Sequence, residues 1–262
     1  MHGEPYFNKH KLNKHDFNKE PYLITAEKIK VACQHFTTTG EKEVRILCKQ
    51  DTREKRPNVF IEKELFLLPI KNGEYKIIKG EGYVDIPDIE SDIEEYESKL
   101  PFVLETTKIG NSEMQHLDHA YAVSLIQSFM EDEFLVLTIR GRKYTPKFEF
   151  NVGNFRITTK SVQTEVDSGY EGKDKVVLVE AKNSKSTNTI IRQLYYPYRQ
   201  WQAHTKKKVS LLFFEKRGDH YYIWEFQFFD ENNYNSIKIK KSACYVIVNK
   251  ERHGGKNEKN TM

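Results

Sequence analysis

The chain is poor in the residues that staple small secreted domains. Its 262 residues include three cysteines, Cys33, Cys48 and Cys244. They are far apart, odd in number and form no CxxC pair, which excludes a zinc ribbon or a disulfide framework and points to reduced thiols in a cytoplasmic protein. No apolar run approaches the ~18 residues of a membrane span. The stretch Asn8 to Lys19 is polar and lacks the apolar segment that a secretory signal requires. Neither sign of charge dominates: 42 Lys and Arg against 38 Asp and Glu give +4, a mild basic bias compatible with nucleic acid. Walker, GxSxG and GxGxxG motifs are all absent, and so is any internal repeat.

Hydrophobic residues supply 38% of the chain and aromatics 13%, enough for a sizeable core in one large or two modest domains. Residues 1–20 read as a flexible basic arm, with Lys9, Lys11, Lys14 and Lys19 among Asn and His. Residues 21–105 read as an α+β module. A helix is expected over Thr25–Phe36 and strands over Glu43–Cys48 and Val59–Leu68. The Asn72-Gly73 pair predicts a hairpin joining Leu65–Ile70 to Tyr75–Ile78. The acidic run from Asp85 to Glu97 reads as an exposed boundary near residue 100. Residues 106–250 form the second unit, and 251–262 a frayed tail.

In that second unit Ser112 and Gln115 are spaced as a capping box before a helix ending near Glu131. Strand patterns follow at Phe134–Ile139, Lys147–Val152, Phe155–Asp167 and Lys175–Ala181. A helix is then expected over Thr187–His204, with Pro197 as a kink. Strands return at Val209–Phe214 and Tyr221–Phe229. The fold class expected is therefore mixed α+β / α/β.

The segment Ser161–Asn183 concentrates the chemistry. Side chains alternate along a strand, so Gln163, Glu165 and Asp167 share one face. The strand Val176-Val177-Leu178-Val179 runs into Glu180, and Glu180 and Lys182 share a face for the same reason. Pairing through the Ser168–Asp174 turn would bring Asp167 close to Glu180. Two such carboxylates repel, which raises one pKa, and a divalent cation removes the conflict. Oxygen-only ligands suit Mg2+, which keeps several waters. Acid-x-Lys triplets recur at Glu74-Tyr-Lys76, Glu97-Ser-Lys99 and Glu171-Gly-Lys173. Only Glu180-Ala-Lys182 follows a buried apolar strand and has an acid at the end of the preceding one.

Asp167 together with Glu180-Ala-Lys182 resembles the signature of the PD-(D/E)xK nuclease superfamily, the fold of most type II restriction endonucleases. The resemblance implies a restriction-endonuclease-like αβββαβ core behind an N-terminal module that recognises DNA. It implies that Asp167, Glu180 and the Ala181 carbonyl bind Mg2+ and that Lys182 serves the attacking water. Val166 stands where the family name has Pro, and either Asp167 or its same-face neighbour Glu165 could be the main metal ligand. The implied activity is Mg2+-dependent hydrolysis of double-stranded DNA by a homodimer accompanied by a cognate DNA methyltransferase. A repair, recombination or mobile-element nuclease of the same superfamily remains an alternative, as does a non-catalytic nucleic-acid-binding protein.

Several basic side chains are candidates for DNA contact. Arg192, Tyr196 and Arg199 form a helical stripe. Arg140, Arg142 and Lys143 occupy an expected loop, and Arg53, Lys55 and Arg56 precede Pro57. Lys206, Lys207 and Lys208 are either a phosphate rail or a charged loop. His116 and His119 lack a third ligand and read as structural.

Overall fold

The computed structural model describes residues 4–249. The tail expected at 251–262 lies outside them. The first part contains helices α1 (Glu4–Lys9), α2 (Ala26–Cys33), α3 (Thr39–Lys42), α4 (Val44–Leu47) and α5 (Asn58–Glu62). They pack with strands β1 (Tyr22–Thr25), β2 (Leu65–Lys71) and β3 (Glu74–Lys79), which form a sheet in the order β1-β3-β2. The Thr25 hydroxyl caps α2 by accepting from the Lys28 amide. The hairpin turns at Asn72-Gly73, where Gly73 has φ 77°, as its residue pair predicts.

Two expectations for this region need correction. Residues 7–17 are no solvated arm. Phe7, Leu12 and Phe17 are buried in the module's own core, with Phe7 against Phe17 and Phe60 at ring distances of 6.4 and 6.0 Å. The apolar residues are too widely spaced among Lys and Asn to show a period. The strand expected at Glu43–Cys48 is helix α4, and the one expected at Val59–Leu68 is α5 followed by β2. Short β-branched runs do not separate helix from strand by periodicity.

The second part begins earlier than residue 106. Strand β4 (Tyr83–Asp85) pairs with β11 (Asn188–Ile190), and β5 (Glu94–Glu97) joins the edge of a large sheet, so the acidic run is built into this unit. Helices α6 (Glu113–Ala122) and α7 (Leu125–Phe129) replace the single helix expected there. The chain breaks between them at Ser124, whose φ is 67°. Ser112 caps α6 by accepting from the Gln115 amide, but the Gln115 side chain reaches Thr106 and Ile109 carbonyls instead of closing the box. Strands β6 (Val136–Tyr144), β7 (Phe148–Val152), β8 (Phe155–Thr159), β9 (Gln163–Glu171) and β10 (Lys175–Lys182) follow. After β11 come helix α8 (Arg192–Gln202) and strands β12 (Lys208–Arg217), β13 (His220–Phe228) and β14 (Ile237–Val248). The fold is mixed α+β, and its seven-stranded sheet has the order β5-β14-β13-β12-β10-β9-β6.

Strand β10 is the centre of this sheet. It runs antiparallel to β9 and parallel to β12, which it reaches through α8. Parallel strands covered on both faces read as continuous apolar runs, and Val176 through Val179 is such a run with both faces buried. Val176 and Leu178 enter the core shared with α8, whereas Val177, Val179 and Ala181 enter the core under α6 and α7. The α8 face therefore also carries Glu180 and Lys182. Among the described residues, no helix is long and apolar enough to cross a membrane. The three cysteines are free, with Cys33 and Cys244 buried.

Phe7→Ala should lower stability by about 3–5 kcal/mol, the usual cost of emptying a buried phenylalanine site. Urea titration measures this directly. A change within about 0.5 kcal/mol, as for a surface substitution, would return residues 7–17 to the status of a solvated arm.

Candidate active site

The site forms where β9 and β10 run out together. Their register pairs Val179 with Ser168, so the next step along each strand brings Glu180 and Asp167 together. The register of β6 on β9 shifts between Ile139 and Gly141, opposite the stretch from Val166 to Gly169. Bulges of this kind re-aim side chains. Here Val166 belongs to the core beneath α8, while Tyr170 belongs to the opposite core. Gly169 permits the close strand approach: a Cβ there would lie 2.6 Å from the Ile139 Cβ.

Asp167 Oδ2 accepts from the Ala181 amide at 2.8 Å, which ties the two strands together at the acids. Glu180 is 9% exposed. Its Oε1 accepts from Lys182 Nζ at 2.5 Å and from Gln193 Nε2 at 2.8 Å. Lys182 Nζ also donates to the Ala181 carbonyl at 3.1 Å. Thr189 donates to Gln193 Oε1 at 2.9 Å, so the amide orientation that serves Glu180 is itself fixed. These bonds use one oxygen of each carboxylate. Asp167 Oδ1, Glu180 Oε2 and the second lone pair of the Ala181 carbonyl are left for another partner.

Burial raises the Glu180 pKa to about 7; the Lys182 ammonium opposes the rise and Asp167 adds to it. Burial also raises Asp167, against the Ala181 amide and Lys182, which lower it. Burial works against the charge on Lys182, but Glu180 and Asp167 outweigh it and hold its pKa above the ordinary lysine value. Two carboxylates that resist ionising beside a lysine that keeps its proton are a site short of positive charge. A hard divalent cation satisfies that need. Among the described residues no three His, Cys, Asp or Glu side chains cluster. The oxygens that could meet such an ion are those of two carboxylates and a carbonyl, a sparse set of the kind that Mg2+ would complete with waters.

These residues face a cleft of about 1110 Å³ between the large sheet and the first module, reached on the module side by Lys49, Asp51 and Lys71. Residues 78–246 of the chain, well over half of it, match the family described as Domain of unknown function (DUF6997). The chain belongs to the DUF6997 family. A second family, described as Domain of unknown function (DUF6996), matches residues 4–77. The DUF6997 match holds all of the acid-lysine site, and the DUF6996 match holds the opposite bank. No curated protein and no solved structure matches the chain.

The other candidate contacts are placed differently. Glu165 is exposed and pairs with Arg142 at 3.2 Å, so Asp167 is the acid that reaches β10. Arg140, Arg142 and Lys143 lie in strand β6 rather than in a loop, because the Gly141 break is absorbed as a register shift. Arg140 pairs with Asp118. Tyr196 is buried, and its hydroxyl donates to the Pro69 carbonyl at 2.7 Å. Arg199 donates to the Glu231 carbonyl at 2.6 Å and stacks over Phe148 at 5.0 Å. Arg192 lines the cleft but faces Asp51 at 3.7 Å. Tyr196 and Arg199 are therefore packing that holds α8 in place, while Arg192 stays at the cleft. The helix also starts later than expected, since residues 188–190 are β11.

Arg53 binds Asp85 at 2.5 Å, and Arg56 binds the Leu65 carbonyl at 3.0 Å and lies over the Tyr83 ring at 5.0 Å. Both brace the joint between the two parts. Lys206, Lys207 and Lys208 line a separate 330 Å³ pocket, on the side of the sheet where β12 begins. His116 bonds Asn111 at 2.9 Å and His119 bonds Tyr221 at 2.6 Å, both structural contacts.

Sequence reasoning missed Gln193 and Asp51. Gln193 sits between the apolar positions Ile190 and Leu194, and its closeness to the strand motif was the available signal. Asp51 is buried and close enough to raise Glu180 further, yet it comes from the other module and leaves no local signal.

The sign of the pH dependence follows from Glu180. Its ordinary pKa of 4.5 rises to about 7 in the folded chain, so between these values the unfolded chain loses a proton that the folded chain keeps. The stability this group contributes is complete below pH 4.5 and gone above about 7. In chelator, urea midpoints of the native chain should fall relative to Glu180→Gln across that window. At about 1.4 kcal/mol per pH unit the total is roughly 3 kcal/mol. A difference independent of pH would contradict the buried, proton-retaining carboxyl.

Proposed function

We propose that the chain is a metal-dependent nuclease of the PD-(D/E)xK type that hydrolyses phosphodiester bonds in DNA. The observation that carries this reading is the meeting of Asp167, Glu180 and Lys182 at the floor of an open cleft, with one oxygen of each acid uncommitted. The order α6-β6-β9-β10-α8-β12, with the β7-β8 hairpin inserted, supports it as an αβββαβ arrangement.

Asp167, Glu180 and the Ala181 carbonyl would hold Mg2+. When bound, the ion supplies Lewis-acid polarisation of the phosphate and acidifies water. The protein's own groups do the rest. The Ala181 amide locks the rotamer of Asp167. Gln193 and Lys182 fix the plane of Glu180, so its second oxygen points in one direction. Lys182 keeps its proton and holds a positive charge where phosphate charge builds as water adds and a P–O ester bond breaks. The products are a phosphate monoester and a free hydroxyl.

The specific form proposed is a type II restriction enzyme acting as a homodimer, since a two-fold protein matches a two-fold site. A cognate methyltransferase would protect host DNA. Incubation with long DNA of varied sequence and Mg2+ tests both levels. Discrete fragments, abolished by EDTA and reduced at least about 10²–10³-fold in Asp167→Asn, Glu180→Gln and Lys182→Met, are expected. A smear would mark an exonuclease of the same superfamily. Cutting by Glu180→Gln at the native rate, or no cutting by the native chain, would sink the proposal.

A further inference from the structure

Of the cations that sequence patterning favoured for DNA contact, Arg53, Arg56 and Arg199 are spent on internal bonds. A further set, exposed and held at most by weak pairs, lies on the bank of the cleft opposite the acids. Arg45 of α4, Lys49, Lys55 and Lys71 all line it from the N-terminal module. Arg45 and Lys55 are exposed, and among the described residues neither pairs with a carboxylate. The Lys49 side chain is 69% exposed and its partner Asp51 lies 3.5 Å away, already shared with Arg192. Lys71 is 60% exposed and pairs only with its hairpin neighbour Glu74 at 2.9 Å. Exposed pairs of this kind are worth ~0–1 kcal/mol, so a polyanion can displace them. Thr52 and Asn72 add neutral donors beside these cations.

We propose that Arg45, Lys49, Lys55 and Lys71 form a phosphate-binding wall that holds a nucleic-acid backbone across the cleft from Asp167 and Glu180. The register of the bound strand over the acids rests on the nuclease reading, whereas the wall itself does not. Cations spread along one bank of an open groove match the spaced charges of a sugar-phosphate backbone and carry no base information. Sequence discrimination, where it exists, then comes from other groups in the cleft.

The test is binding without cleavage, using the full chain in EDTA and a labelled DNA duplex followed by fluorescence anisotropy across a salt series. Each phosphate contact contributes about 0.9 to the slope of log affinity against log salt. The four-fold variant R45Q/K49Q/K55Q/K71Q should lose about 3–4 from that slope and bind at least tenfold more weakly. R45Q/K55Q removes only unpaired side chains, so its folding is secure, and it should lose about 2. Lys28→Gln with Lys30→Gln, on exposed α2 away from the cleft, should bind as the native chain does. A matched RNA duplex separates the two sources of the same backbone chemistry. An unchanged slope in R45Q/K55Q, no binding by the native chain, or equal displacement by polyglutamate would each overturn the wall. Glu180→Gln should bind normally. If it binds through the wall yet cuts like the native chain, the nuclease reading fails and the wall stands.

Discussion

Holding two carboxylates together at the end of a buried hairpin is costly, and the local structure is organised around that cost. Taking Glu180 out of water disfavours its charged form, and Asp167 nearby makes matters worse. Lys182 and Gln193 offset part of this by donating to one Glu180 oxygen, and the Ala181 amide does the same for Asp167. None of them reaches the second oxygens. The remaining deficit of positive charge is the ground on which a bound cation is proposed.

Meeting that demand constrains elements well beyond the acids. Strand β10 must be central, so that Glu180 is buried, and must end at the cleft, so that it is reachable. Helix α8 must dock tightly to aim Gln193, which explains why Tyr196 and Arg199 are committed to packing. The β6 register shift and the close approach at Gly169 set the end of β9 where Asp167 meets Ala181. The N-terminal module closes the other side, joined through Asn188, which receives the Arg53 amide and donates to Glu54. One core chemistry therefore draws on both family segments of the chain.

Much of this was legible in the sequence where signals are local. The apolar run before Glu180, the two-residue spacing to Lys182 and the Asn72-Gly73 turn each act over a few residues, and each appears where the pattern put it. What was not legible depends on tertiary context. The Arg192–Arg199 stripe reads as a surface because charge is assumed to seek water, yet neighbouring aromatics and carbonyls absorb Arg199 and the Asp51 carboxylate faces Arg192. Strand β14 alternates apolar and lysine positions, IKIKK, and was passed over because its charged half masks the pattern. Phe7, Leu12 and Phe17 fill a core completed by β1, β2, β3 and the helices α2, α4 and α5. Asp51 reaches the site through the docking of two modules, a relation no window along the chain contains.

Asp167 and Glu180 are proposed together to hold a divalent cation beside Lys182. Mn2+ binding followed by electron paramagnetic resonance addresses it without reference to any substrate. One saturable Mn2+ site per chain is expected, displaced by Mg2+, weakened as pH falls below the raised pKa of Glu180 near 7, and lost in Asp167→Asn and Glu180→Gln. Retention of that site with unchanged affinity in both variants would contradict it.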